Sequence, residues 1–346
     1  MRINFHCPYY VNFPAPEVVL WEKCGAAETV LIMASSALAQ EHRVRVYTGG
    51  FKGYHNGVEW LRLGEKRVSD CDVLINWETD RDTENIEADK RVIAAPCADI
   101  YDEVGNMDYV IVNSKWQRKN IMNSTNIPFE KFYILPHGIH RELYDKVADK
   151  VKGRLVWCAS PDRGFQHLLR IFPLIRQAFP EAHLKCTYDI NFERMKWGMS
   201  PINEIYWDIQ ELLHQDGIEA LGVLPKKELI DLQLSSELMI FPEDTWRPTE
   251  AFGVTYAEAL ASRVAVIASD VDCVGELWGD YIALMPPPPF KYQDWADLAL
   301  ELLNDENKRK QYHEAGREKV FQDYTWEAAG IKWREFITKL TTEEDK

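Results

Sequence analysis

Short apolar runs rich in Val and Ile recur along the chain, separated by segments whose apolar residues follow a helical spacing. RINFH (2–6), RVRVYT (43–48), DVLINW (72–77), RVIAA (91–95), YVIVN (109–113) and FYILP (132–136) alternate little between apolar and polar positions. Runs of that kind predict strands buried on both faces, as in a parallel sheet covered by helices. Between them, ETVLIMASSALAQ (28–40) places Val30, Leu31, Ala34, Ala37 and Leu38 on one helical face, and SKWQRKNIM (114–122) reads as a helix capped by Ser114.

A second series starts near residue 154. RLVWCA (154–159), HLKCTYD (183–189), IEALG (218–222), LMIFP (238–242), VAVIAS (264–269) and YIALMP (281–286) are its strand candidates. Helices are expected over 164–179, interrupted and kinked at Pro173, and near 203–215, 225–234, 253–262 and 291–304. The polar stretch 137–153, with a Gly near each end, separates the two series. The pattern predicts two αβ domains, over 1–145 and 146–324, followed by a helix and a frayed tail. Two doubly wound sheets gather the loops at the carboxyl ends of their strands along a shared cleft, which is where a ligand belongs.

A chain of 346 residues suits two domains. The net charge of −15 argues against a general nucleic-acid binder, which needs concentrated Lys and Arg. It also argues against docking on an anionic membrane by bulk charge, while leaving room for local peripheral contact. No apolar run reaches the ~20 residues of a membrane span, and MRINFHCPYY lacks a signal-peptide profile. Cysteines 7, 24, 71, 97, 158, 186 and 273 are dispersed, with no Cys-x-x-Cys pair and no zinc-ligand spacing. That usage predicts buried thiols in a reducing compartment, and so a soluble cytoplasmic protein with no metal.

Candidate chemistry centres on EAFGVTYAEAL (250–260). Glu250 precedes a helix-like run and Glu258 falls inside it. Eight helical residues rise ~12 Å, about the length of an extended nucleoside diphosphate sugar. A helix beginning near Gly253 would offer free N–H groups and its dipole to an anion, with the glycine letting backbone approach closely. The bland alternative is a surface helix with an acid near its start and a good helix former inside it.

The longer stretch EAFGVTYAEALASRVAVIASDVDCVGEL (250–277) resembles the Glu-x7-Glu donor region of retaining GT-B glycosyltransferases of family 4. ILPHGIHRELYD (134–145) is similar to the Pro-Asn/His-Gly stretch those enzymes carry near the domain junction. ASPDRGFQHLLRIFPLIRQAFPEAHL (159–184) resembles their basic-residue-then-Gly helix opening, in the Ser-Pro-Asp-Arg-Gly form. CGAAETVLIMASSALAQEHRVRVYT (24–48) is similar to their Gly-Gly-x-Glu helix and following strand. The resemblance implies a GT-B fold, two facing Rossmann-like domains with a cleft between them, the last helix packing back on the first domain. It implies a metal-independent transferase that takes a nucleotide sugar as co-substrate and a glycan, lipid-linked or small-molecule hydroxyl as acceptor.

By the same resemblance, Glu250 binds hydroxyls of the transferred sugar with backbone N–H groups at Phe252 and Gly253, and Glu258 binds the ribose. Arg163, before Gly164, stabilises the departing diphosphate, which a fixed guanidinium does well in a water-poor cleft. The sequence departs from the family at three places. Ser160 or Ala159 stands where a second Arg is usual; Lys226 and Lys227 are substitutes, or simply a solvated helix start. Residues 91–105 contain no His, and Cys97 and Asp99 occupy its neighbourhood, Asp99 being either a contact to sugar or acceptor or a loop or cap residue. Arg263 replaces the Gly that commonly ends the helix.

Other candidates carry two readings each. His137 either touches the nucleotide or is a hydrogen-bonded structural residue. Gly25 either lets backbone approach a phosphate or acceptor, or is an ordinary helix N-cap. Glu276 either reaches the cleft or is an exposed helix-start acid. NFPAPEVVLW (12–21) is either an acceptor subsite or a packed loop. Two rival functions share these features: a non-catalytic sugar-nucleotide or glycan-binding subunit, and a sugar-nucleotide epimerase. A nicotinamide enzyme is disfavoured, since no Gly-x-Gly-x-x-Gly follows the first strand.

Overall fold

The Val- and Ile-rich runs pair into two sheets, of eight and six strands. The computed structural model describes residues 1–23, 25–98, 100, 105, 107–188, 202–244 and 248–342. The chain divides into one unit of Met1–Gly138, Pro248–Phe252 and Tyr324–Lys346, and a second of Ile139–Arg247 and Gly253–Asp323. The fold is α/β with two parallel-sheet domains, the GT-B class.

The first unit begins with β1 (Arg2–His6), α1 (Ala26–Leu38), β2 (Arg43–Thr48), β3 (Gly53–His55) and β4 (Val58–Arg62). It continues with β5 (Cys71–Trp77), β6 (Ala88–Ala94), β7 (Tyr109–Val112), α2 (Lys115–Ser124) and β8 (Phe132–Ile134). The sheet order is β3-β4-β2-β1-β5-β6-β7-β8. All pairs are parallel except the β3–β4 hairpin, with Phe5 lying opposite Val46 and Ile75 in register. That hairpin is absent from the apolar pattern, although its Asn56-Gly57 turn, both residues at positive φ, is a hairpin signal in its own right.

Parallel pairing forces each connection to cross a face of the sheet, and the helices doing so bury it. Val30, Leu31 and Leu38 of α1 pack on Ile3, Phe5, Val46 and Ile75. Trp333, Phe336 and Ile337 of the last helix, Trp326–Thr342, complete the same core. Ser114 accepts a hydrogen bond from the Gln117 backbone N–H at 3.1 Å and caps α2 as the sequence suggests.

The second unit contains β9 (Arg154–Trp157), α3 (Phe165–Ala178), β10 (His183–Thr187), α4 (Ile202–Leu212), β11 (Ile218–Gly222) and α5 (Lys226–Leu234). There follow β12 (Leu238–Phe241), α6 (Val254–Ala261), β13 (Ala265–Ser269), α7 (Val274–Trp278), β14 (Ala283–Met285), α8 (Tyr292–Asn304) and α9 (Glu306–Asp323). Its sheet runs β11-β10-β9-β12-β13-β14, every pair parallel.

Pro173 does not interrupt α3. Its ring lies on the exposed side, and the Leu169 carbonyl that a proline cannot serve accepts Gln215 Nε2 at 2.8 Å instead. The usual cost of a mid-helix proline is the lost donor and a clash at that carbonyl, and Gln215 removes the first part. Among the described residues no helix is long and apolar enough to cross a membrane.

Arg263 takes the left-handed conformation, φ 55°. The Val264 N–H donates to Ala259 O at 2.9 Å and the Arg263 N–H to Leu260 O at 3.0 Å, the hydrogen-bond pair of a Schellman cap. The site therefore demands the conformation a glycine provides, and Arg263 occupies it at a cost. Two more cations crowd this helix end: Lys150 Nζ donates to Ser262 O at 2.9 Å and Arg317 Nε to Ala261 O at 3.2 Å. Replacing Arg263 by Gly is expected to stabilise the second unit by about 1 kcal/mol, read as a raised midpoint in urea denaturation.

Candidate active site

In a doubly wound sheet, the loops leave neighbouring strands in opposite directions where the strand order reverses, and a crevice opens at their carboxyl ends. That reversal falls between β9 and β12 in the second sheet, and between β1 and β5 in the first.

At the β9/β12 edge, the loop Cys158–Gly164 meets the residues after β12. Gly164 caps α3 at φ 88°, and a Cβ there would stand 2.0 Å from Pro242 O. Only glycine fits, on both counts. The packing sets the amino end of a fourteen-residue helix, with its dipole, at the strand edge; there the Phe165 N–H donates to Pro161 O at 3.2 Å and the His167 N–H to Gly164 O at 3.0 Å. Arg163 stands immediately before it, largely buried, its Nε 4.0 Å from Oδ1 of the buried Asp162. Its backbone N–H donates to Ser160 O at 3.1 Å, so Ser160, Arg163 and Gly164 form one tight turn. Behind the turn, His167 Nε2 lies 2.5 Å from Asp244 Oδ2 and its Nδ1 2.7 Å from the Tyr292 hydroxyl, a cluster that sequence patterns gave no reason to expect.

Glu258 is buried on α6. Its Oε1 pairs with Lys226 Nζ, and Gln233 Nε2 lies 3.4 Å from Oε2 and 3.3 Å from Cys158 Sγ. A chain of polar contacts thus joins α5, α6 and the loop after β9. The carboxylate still has lone pairs for further donors, since two oxygens accept about four hydrogen bonds. This corrects the solvated reading of Lys226: its side chain is only 12% exposed, and the start of α5 folds it onto Glu258. Burial pushes the Cys158 thiol up to about 12. Gly253 caps α6 at φ 77°, where a Cβ would meet the Tyr256 ring at 2.4 Å.

Glu250 and Phe252 lie in the segment Pro248–Phe252, which groups with the first unit. The Phe252 ring sits between His137 and Tyr324, its centroid 5.2 Å from each. His137 is buried, its Nε2 has no protein hydrogen-bond partner, and burial depresses its pKa to about 4. It is therefore a neutral imidazole at pH 7. The hydrogen-bonded structural alternative does not describe this nitrogen.

In the first unit, Gly25 is the N-cap of α1 in extended backbone, and the Glu28 carboxylate folds over the position a Cβ would take. Asp99 and Cys24 lie outside the described residues. In the 12–21 stretch Phe13 and Leu20 bury in the core while Trp21 stays exposed, and its second half is not a loop, since it winds into short helical segments, Pro16–Val18 and Val19–Lys23. Glu276 is exposed in the first turn of α7. Sequence reasoning missed Glu78, the residue after β5. It holds φ 69°, and its Oε1 lies 3.2 Å from the Tyr10 hydroxyl and 3.7 Å from Cys97 Sγ.

Residues 203–319 match the family described as "Glycosyl transferases group 1". The chain is similar to the D-inositol 3-phosphate glycosyltransferase of Corynebacterium aurimucosum, 22% identical over 252 residues, covering 66% of this chain and 56% of that protein. The matched part thus spans about half the length of the curated relatives. Among solved structures, a glycosyltransferase from Rickettsia africae superposes with a TM-score of 0.72 at 13% identity, over 98% of each chain. Anabaena HepE, solved with UDP and glucose, superposes at 0.70 and 15% identity, over 98% of this chain and 100% of that one.

Two outcomes follow from the site's charges. Lys226→Met leaves Glu258 buried without its cation and is expected to cost about 3–5 kcal/mol of stability, measured by chemical denaturation. For His137, the folded state resists protonation, so its contribution to stability is full above the ordinary value of 6.5 and is lost as pH falls from there towards 4. A depression of that size corresponds to about 3 kcal/mol. His137→Asn is expected to flatten the acid side of the stability profile over that window, read by thermal denaturation from pH 7 to pH 4.

Proposed function

We propose that the protein is a retaining glycosyltransferase, moving a sugar from a nucleoside diphosphate sugar to a hydroxyl acceptor. One observation carries the reading: in the second unit, a helix amino terminus, a preceding guanidinium and a buried carboxylate converge where the strand order reverses. The group 1 match over 203–319 and the UDP-bound likeness of HepE support it.

On this reading the diphosphate lies at the start of α3. Breaking the bond between the anomeric carbon and the phosphate oxygen leaves negative charge on that oxygen. Arg163 and the dipole at the amino end of α3 offset it without reorganising. Glu258 accepts hydrogen bonds from the ribose hydroxyls, and Glu250, with the N–H groups of Phe252 and Gly253, holds the sugar. The acceptor oxygen bonds to the anomeric carbon on the face the phosphate leaves, and the acceptor proton passes to the departing phosphate. The nucleotide of the donor belongs to the second unit and the acceptor chiefly to the first. No step requires a divalent cation. The six described cysteines are free thiols, in keeping with a reducing, cytoplasmic setting.

The test starts with thermal shifts for UDP, GDP, ADP and their glucose conjugates, because a ligand selective for the folded state raises its stability. Transfer is then assayed in EDTA with the best donor. Glu250→Gln and Arg163→Ala are each expected to lower kcat by about 10²-fold or more while leaving the circular dichroism spectrum unchanged. Full activity in both variants sinks the site assignment, and nucleotide binding without transfer to any acceptor points to a binding subunit.

A further inference from the structure

The carboxyl ends of β1 and β5 flank the point of reversal in the first sheet, and Glu78 sits there. Three features set it apart from a loop acid. Its backbone is left-handed, a strained conformation for a non-glycine residue that persists where surroundings impose it. Its side chain is fixed: the Tyr10 hydroxyl, itself held by Trp77 Nε1 at 3.1 Å, lies 3.2 Å from Oε1, and Cys97 Sγ is at 3.7 Å. Finally, burial raises its pKa above the ordinary glutamate value, with Glu28 adding to the rise and Tyr10 and Cys97 opposing it. The titratable groups facing it are Tyr10 in the loop after β1, Glu28 on α1, Cys97 after β6, and Cys7 just beyond β1. None is a cation.

An acid in such a place lowers stability. A raised folded-state pKa means the native protein holds the proton more tightly than the unfolded chain, so stability falls as pH rises through the ordinary glutamate range and beyond. The Tyr10–Trp77 scaffold uses only one of the two carboxylate oxygens. Fixed geometry and spare acceptor capacity are what a hydroxyl donor requires of its partner.

We propose that Glu78 is a specificity-determining residue that accepts a hydrogen bond from a hydroxyl of the acceptor and selects an uncharged polyol over an anionic one at that position. The inference rests on the transferase reading and assigns the acceptor's chemistry at one point of it. Among the described groups that act on Glu78 none is a cation, so a phosphate there would face the Glu78 and Glu28 carboxylates without one of these to offset it, whereas a neutral ring hydroxyl would complete the Glu78 hydrogen bonding. Tyr10 acts through Glu78, as a positioning residue.

The experiment compares wild type with Glu78→Gln and Tyr10→Phe, using UDP-, GDP- or ADP-glucose as donor, whichever the thermal shifts select. Acceptors are offered in matched pairs: myo-inositol and its 1-phosphate, methyl α-glucoside and its 6-phosphate, glycerol and its 3-phosphate. Wild type is expected to prefer the neutral member of each pair. Glu78→Gln is expected to lower kcat/KM for the neutral acceptor by about 10- to 100-fold, chiefly through acceptor KM, and to shrink the preference. Its nucleotide thermal shift stays unchanged, its own melting temperature at pH 7 rises, and the acid limb of kcat/KM disappears. Tyr10→Phe moves acceptor KM in the same direction by less. Unchanged kcat/KM and an unchanged preference in Glu78→Gln overturn this inference alone. A wild-type preference for the phosphorylated members overturns it too. If wild type neither binds a nucleotide nor transfers to any acceptor, the parent reading fails and takes this one with it.

Discussion

Parallel pairing is the constraint from which the rest follows. Two parallel strands cannot be joined by a tight turn, so every connection recrosses the sheet and every strand ends on the same edge as its neighbours. In the second unit all strand pairs obey this, and in the first only the β3–β4 hairpin does not. The helices needed for recrossing cover both faces, which is why the strands read as unbroken apolar runs. One edge of each sheet is left to carry polar loops, and the reversal of strand order decides where along that edge a ligand can enter.

The regular strands were legible because they obey a local rule, apolar runs for buried strands, and the helix opening at Arg163-Gly164 was legible through resemblance. Helix α9 was not, and the reason is chemical. The positions it buries are Arg309, His313, Gly316 and Val320, a helical spacing with one apolar side chain of any size. Arg309 is admissible there because Glu237 pairs with it at 2.7 Å and the carbonyls of Leu302 and Leu303 accept its other N–H groups. Burial made possible by pairing leaves no trace in a hydrophobic pattern. Pro173 misled in the opposite sense, because the glutamine that makes it tolerable stands more than forty residues away.

The candidate site divides in the same way. Arg163, Gly164, Glu250 and Glu258 stand out from spacing and resemblance. Lys226, Gln233 and Glu78 do not, since each acquires its role from a partner on another element. Lys226 sits at the first position of α5, where a lysine is ordinarily solvated, and only the packing of α5 beside α6 turns it towards Glu258. Glu78 follows a strand in a stretch that reads as a turn. The β1–β5 adjacency that gives it meaning is a property of the whole sheet.

The network around Glu258 ends at a sulfur. Cys158 lies in the loop after β9, against Gln233, with its thiol pushed to about 12. At neutral pH almost none of it is thiolate, and the thiolate is the form that attacks electrophiles. This edge thus presents a cysteine by composition but a small apolar filler by reactivity. A covalent ligand aimed at Cys158 would find almost no thiolate to attack it, and oxidants that modify acidic thiols would leave this sulfur intact.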